Sequence, residues 1–282
     1  MRVSWNCQAG DWRMFAVVAA GMIIAAVTVG CAKKETASDG AGVQAPAPDA
    51  PQIVRDMIAA HGGMDAWRAA PTVSFEDEFV VPGGPSIVSR VVVEQGRRRA
   101  YMEYPATRAT AAWNGDSAWS MSWSSPFPPR FMLLLNYYFL NLPWLTMDPG
   151  VRLVEQGTGR LVGDSTEYAT VLMTFAPGTG DTPNDYYRLH IDRDTKRLKG
   201  YEYVATYRAL LPKGVPSSPE NVLIFDSYAT VSGLVVPTRY TIYGPKQELV
   251  GTCTIRNWAF DRPFDESRLG PVQGAVVDRS TP

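Results

Sequence analysis

Two histidines, three cysteines and a pair of alternate glutamates are the side chains in this 282-residue sequence that could serve as base, nucleophile, metal ligand or acid–base couple. His61 stands before Gly62 and Gly63, where glycine ends a helical turn and an imidazole reads as a cap or surface group. His190 alternates with Arg188 and Asp192, which puts the three on one strand face and reads as a solvated charge row. Neither histidine sits among cysteines or carboxylates at metal-ligand spacing. Glu76 and Glu78 share a strand face, a spacing that chance supplies often. Cys253 has no neighbour that would activate a thiol, and reads as inert and buried. A Gly-x-Ser-x-Gly elbow, a phosphate loop and a dinucleotide fingerprint are all absent from the sequence. Enzymatic activity, cofactors and metals are therefore not expected, and a hydrolase with an unrecognised site ranks last among the readings.

The chemistry that fits Cys31 is acylation. An apolar run from Phe15 to Gly30 precedes it, Arg2 and Arg13 supply a positive flank, and a polar stretch of small residues follows. The run holds roughly 16 residues, short of the roughly 18 to 20 that cross a bilayer, and matches a cleaved export signal. Val27-Thr28-Val29-Gly30-Cys31 resembles the bacterial lipobox, with Thr28 where Leu is more usual. Residues 1–30 are thus expected to be a lipoprotein signal peptide, and Cys31 the lipidated N-terminus of the mature chain. Each buried methylene contributes about 0.8 kcal/mol, so two or more acyl chains anchor a protein without a spanning helix. Residues 31–51, rich in Ala, Gly, Pro, Ser and Thr, read as a flexible tether. Ala32 in place of Asp after the cysteine matches an outer-membrane address in well-studied Gram-negative systems.

Residues 52–282, about 230 in number, suffice for one all-β domain with a substantial core. The formal net charge is −1 with both signs interspersed. The longest basic run, Arg97-Arg98-Arg99, alternates faces and reads as a solvated strand end, so nucleic-acid partners are not expected. With Cys7 in the signal and Cys31 acylated, Cys253 stands alone and no disulfide braces the domain.

The elements that would position any site begin with a short helix. Ile53, Val54, Met57 and Ile58 recur at helical spacing up to His61-Gly62-Gly63, and a second turn carries Trp67 before Pro71. The period then changes: Val73, Phe75, Phe79 and Val81 alternate with Glu76 and Glu78, as in a half-buried strand. Further strands are predicted at 87–94, 98–104, 109–113, 117–123, 168–175, 186–192, 198–207, 222–231, 234–243 and 248–260. Pro82-Gly83-Gly84-Pro85 and Asn114-Gly115-Asp116 supply turns. About ten or eleven strands at this spacing make a sandwich, a barrel or a strongly curved sheet.

One segment interrupts the strands. Phe131 to Leu142 has helix length, with Pro128 and Pro129 suited to its first turn and Pro143 to its end. Phe131, Leu134, Leu135, Tyr138 and Leu142 form one face, while Met132, Leu133, Phe139 and Leu140 fill much of the rest. Such a helix has to be covered on more than one side, either within the core or as a lid over a concave sheet. Trp113, Trp119, Trp123 and Trp144 add a large apolar surface nearby, which a core and a pocket would use equally.

Ala60-His-Gly-Gly-Met-Asp-Ala-Trp67, Asn141-Leu-Pro-Trp144 and Asp148-Pro-Gly150 resemble proteins related to the outer-membrane lipoprotein-sorting carriers LolA and LolB. Tyr187-Arg-Leu-His-Ile-Asp192 with Leu198, Ser232-Gly-Leu-Val-Val-Pro237 and Asn257-Trp-Ala-Phe-Asp261 extend the resemblance over most of residues 52–270. It implies a half-open antiparallel β-barrel around a hydrophobic cavity, closed by helices, that binds acyl chains or other lipids. The 131–142 helix would be its lid. No individual carrier residue maps onto a position here.

The expectation is therefore a membrane-anchored bacterial envelope lipoprotein, at the outer membrane and facing the periplasm. It would bind a lipid or acylated protein in a hydrophobic cavity and act in lipoprotein or lipid transfer. Candidate lipid contacts are Trp113, Trp119, Trp123, Phe131, Leu134, Leu135, Tyr138, Leu142 and Trp144. The alternative is an envelope sensor or assembly lipoprotein that binds a protein partner on the same scaffold.

Overall fold

The computed structural model describes residues 49–280, so the signal peptide, Cys31 and nearly all of the tether lie outside the described residues. Two short helices open the domain, α1 (Gln52–Ala60) and α2 (Gly63–Ala69). Val54, Met57 and Ile58 bury the apolar stripe of α1, as their i, i+3, i+4 spacing requires. Gly62 joins the two helices at φ +102°, where a Cβ would lie 2.3 Å from the Gly233 carbonyl oxygen. Only glycine fits both that backbone and that approach.

After Pro71 the chain runs through β1 (Thr72–Val80), β2 (Ser86–Glu94), β3 (Ala100–Tyr104), β4 (Ala109–Trp113) and β5 (Ala118–Met121). The long helix α3 (Pro129–Leu145) follows. Next come β6 (Val151–Gly159), β7 (Tyr168–Phe175), β8 (Tyr186–Ile191), β9 (Leu198–Val204), β10 (Asn221–Val231), β11 (Leu234–Tyr243), β12 (Leu249–Ala259) and β13 (Val276–Asp278). These form one sheet in the order β13-β5-β4-β3-β2-β1-β12-β11-β10-β9-β8-β7-β6, antiparallel throughout. The pairing of β1 with β12 joins the two halves of the chain.

The sheet has thirteen strands where ten or eleven are expected, and the additional two are its edges, β6 and β13. Most of β6 is exposed and β13 has no buried residue, so neither shows the alternation that marks a half-buried strand. Its ends remain apart, so the barrel is half-open. Its curvature follows from α3: Arg130 lies over Trp113 of β4 at 4.4 Å, and Phe131 packs on Tyr207, beyond β9, at 5.1 Å. Flat, seven strand spacings would separate β4 from β9 by roughly 34 Å, so adjacent residues of one helix reach both only because the sheet wraps around it.

The main core fills the concave side, with Val73, Phe75, Val91 and Met102 facing α3 and the β8–β12 rings. Two smaller clusters lie outside it. Val92, Tyr101, Ala112, Trp119 and Leu269 make one; Leu161, Tyr168 and Ile224 make the other. Among the described residues no helix is long and apolar enough to cross a membrane.

Candidate functional site: the concave face beneath the long helix

Helix α3 divides into two halves with different surroundings. From Phe139 to Leu145 every residue is buried, and Trp144 stacks on Trp67 at 4.5 Å with the rings 6° apart. Phe139 meets the rings of Tyr203 at 4.9 Å and Tyr201 at 5.9 Å. Pro143, expected to end the helix, lies inside it. A proline has no N–H for the carbonyl four residues earlier, and that carbonyl, of Phe139, accepts the Tyr201 hydroxyl at 3.2 Å instead. The sheet thereby satisfies the group that the proline leaves free, and the helix continues to Leu145.

The first half buries Leu133 and Tyr137 and is otherwise held by polar contacts at its rim. Phe131, Met132, Leu134, Leu135 and Tyr138 are only partly buried. The Arg130 backbone N–H donates to Asp278 Oδ2 at 2.9 Å, so β13 caps the helix from outside. The Arg130 guanidinium makes two bonds to Asp181, at 2.8 and 2.6 Å. Arg98 donates to the Tyr138 hydroxyl at 3.3 Å and pairs with Asp148.

Beneath this half lies a polar nest. Asp77 of β1 has the inward parity of Val73 and Phe75 and is 3% exposed. Its Oδ2 accepts the Ser89 hydroxyl from β2 and the Asn136 amide from α3, each at 2.8 Å. Asn136 in turn accepts the Tyr240 hydroxyl at 3.2 Å. Burial raises the Asp77 carboxyl to about 6, against the lowering effect of those two donors and with help from Glu76. Tyr104 and Cys253 are also within its electrostatic reach, and burial pushes both of them up. In the sequence Asp77 is masked by the flanking Glu76 and Glu78. The signal was its parity, a carboxylate in an apolar row.

The other titratable candidates resolve differently. Glu76 and Glu78 face outward and pair with arginines, Glu76 with Arg90 at 2.8 Å and Glu78 with Arg256. His61 is 1% exposed, not a surface group. Its Nδ1 is 2.7 Å from the Val235 carbonyl and its Nε2 accepts the Leu198 N–H at 3.1 Å, which fixes the neutral tautomer with the proton on Nδ1. Burial pushes it down to about 4, against the Val235 hydrogen bond and with help from Arg197. His190 is also buried, not solvated, with Nε2 3.4 Å from Glu202. Arg98 and Arg99 of the basic run are tied down as well, Arg99 bridging Glu94 and Glu266. Burial raises the Cys253 thiol far above the range in which a thiolate forms. Among the described residues no three His, Cys, Asp or Glu side chains gather to hold a metal.

Of the candidate lipid contacts, Leu142 and Trp144 are fully buried core beside α1 and α2. Phe131, Leu134, Leu135 and Tyr138 lie on the first half of α3, with Trp113 and Trp123 packed against the same core. Trp123 meets Tyr104 at 5.4 Å. Trp119 faces the opposite side of the sheet, where its indole N–H donates to the Leu269 carbonyl at 2.9 Å, so it does not contribute to the surface under α3. That surface is filled by Tyr187, Tyr201, Tyr203 and Phe225, in ring contact at 5.6 to 6.3 Å. Clefts of about 400 and 430 Å³ open elsewhere, beside β6 and beside Glu202 and Glu220.

No family model matches the chain, and no curated protein matches it. Solved structures do. A DUF1329 family protein from Desulfovibrio piger shares 12% identity over 78% of this chain and 98% of its own, with a TM-score of 0.49. A LolA superfamily protein from Nitrosomonas europaea shares 12% identity over 71% and 89%, with a TM-score of 0.45. At such identities and TM-scores below 0.5, the function of this chain has to be argued from its own residues.

Proposed function

We propose that this chain is a lipid-anchored protein of the bacterial envelope that takes up the apolar part of an amphiphile between the first half of α3 and the concave face of the sheet. The observation that carries this reading is the division of α3. The second half is buried at every residue, while the first buries Leu133 and Tyr137 but presents partly exposed Phe131, Leu134, Leu135 and Tyr138 beside polar contacts. Polar fastenings can be exchanged for water at little net cost, and lifting the first half forfeits the packing of Leu133 and Tyr137, whereas lifting the second would forfeit that of every residue from Phe139 to Leu145. The first half is therefore the part that can lift, and an acyl chain entering there would be driven by about 25 cal/mol per Å² of apolar surface removed from water. Acylation of Cys31, with residues 31–51 as tether, would keep this opening within reach of a membrane.

The test is displacement of an uncharged fluorescent acyl probe, together with native mass spectrometry of the purified protein. Saturable uptake of acyl ligands is expected, and Leu135→Glu should weaken it at least tenfold with an unchanged circular dichroism spectrum. Failure to detect any bound lipid by either method would overturn the reading. A second reading, binding of a protein partner, is favoured by β6, a nine-residue edge strand with Val154 57% exposed. Such an edge can pair with an extended peptide. Stoichiometric recovery of one envelope protein that is lost in Val154→Lys would support it.

A further inference from the structure

Among the described residues Asp77 has no cationic partner. It takes part in none of the ion pairs among the described residues, although it lies 3% exposed among apolar and aromatic side chains. Both of its donors, Ser89 and Asn136, bond to one oxygen, Oδ2; no described residue donates to Oδ1. A carboxylate withdrawn from water in this way is normally paired or ligates a cation. Its surroundings suit one kind of partner. Asn136, which covers it, accepts the Tyr240 hydroxyl at 3.2 Å, so every hydrogen-bonded neighbour is a neutral donor and none supplies a positive charge. An ammonium group brings both the opposite charge and the N–H donors that a buried carboxylate oxygen accepts. The element that covers this nest is the first half of α3, through Asn136.

We propose that Asp77 is the recognition point for the ammonium group of an amine-bearing amphiphile, which enters the nest beneath α3 while its apolar chain occupies the concave face. This rests on the amphiphile reading above and adds the class of head group. The ammonium donates to Oδ1 and supplies the counter-charge that the fold leaves out. Asn136, released from Asp77 by the incoming group, turns to solvent as the helix lifts. A fatty acid, with its own carboxylate, is disfavoured at this point by like charge.

The experiment compares three chains of equal length, decylammonium, decanol and decanoate, each below its critical micelle concentration, by calorimetry at pH 7.5. Wild-type protein is expected to bind decylammonium about tenfold more tightly than decanol, and decanoate most weakly. Asp77→Asn should bind decanol as wild type does and lose the preference for the amine. Equal affinities for amine and alcohol in the wild type would overturn the proposal, as would a preference that survives Asp77→Asn. The wild-type comparison stands even if the variant folds poorly. If no decyl compound binds, the amphiphile reading falls too, whereas uptake of all three without discrimination overturns the head-group assignment alone.

Discussion

The hydroxyl of Tyr201 donates to the carbonyl oxygen of Phe139 across 3.2 Å, and that carbonyl is the one Pro143 leaves without an intrahelical partner. The sheet thus completes the hydrogen bonding of the helix it encloses. Tyr201→Phe should therefore lower stability by about 1 to 2 kcal/mol, because a buried acceptor is stranded. Urea denaturation measures this. In a Pro143→Ala background, where an N–H is restored at the right place, the same change should cost much less.

Protonation of His61 should destabilise the fold. Its folded value is about 4 against 6.5 for the free side chain, so the unfolded chain takes up the proton first as pH falls. Stability associated with His61 is complete above about pH 6.5 and is lost toward pH 4, by about 3 kcal/mol in all. Unfolding measured at pH 7.5 and 4.5 should show this loss in the wild type and less of it in His61→Gln.

Asp77 acts with the opposite sign. Its folded value of about 6 exceeds the 3.8 of a free carboxyl, so the folded chain holds the proton more tightly. Its contribution is present below pH 3.8 and is lost as pH rises through 6, again by about 3 kcal/mol. Asp77→Asn should raise stability at pH 7.5 by about 2 to 3 kcal/mol and leave it nearly unchanged at pH 3.5. The two groups oppose one another, so the wild-type profile alone would be flatter than either variant's.

Gly62→Ala should be among the most damaging small changes. The new Cβ would lie 2.3 Å from the Gly233 carbonyl oxygen at a backbone φ of +102°, so the cost should exceed about 2 kcal/mol. Gly63→Ala, also at positive φ but facing open space, should cost about 1 kcal/mol. Thermal unfolding of the two variants gives the comparison.

Asp278→Ala removes the acceptor that caps the Arg130 N–H. A lost cap costs about 1 kcal/mol, and its effect should be local. Amide hydrogen exchange should quicken over residues 130–136 and stay unchanged over 140–145. Equal quickening of both halves would show that α3 moves as one body and would count against a lid.

Much of this architecture is legible in residue types. Alternation marks the strands that have one dry face, and Pro128, Pro129 and the apolar run mark α3, because these depend on neighbours in the chain. The edge strands β6 and β13 were not legible, since a strand with few buried residues has no alternation to read. Nor was the continuation of α3 through Pro143, which depends on a hydroxyl 58 residues away in sequence.

The sequence by itself determined a long run of strands interrupted by an apolar helix that has to be covered, because hydrophobic period and proline position act locally; that one sheet curves around that helix was decided by the tertiary pairing of distant strands. Tertiary structure alone decided which polar groups lie inside. Asp77 is drawn beneath α3, His61 is clamped between β9 and β11, His190 is covered, and Trp119 is turned to the far side of the sheet. Burial is a property of what the folded chain brings opposite a residue, and for these four the covering segments come from distant parts of the chain or from a strand parity that one residue type does not reveal.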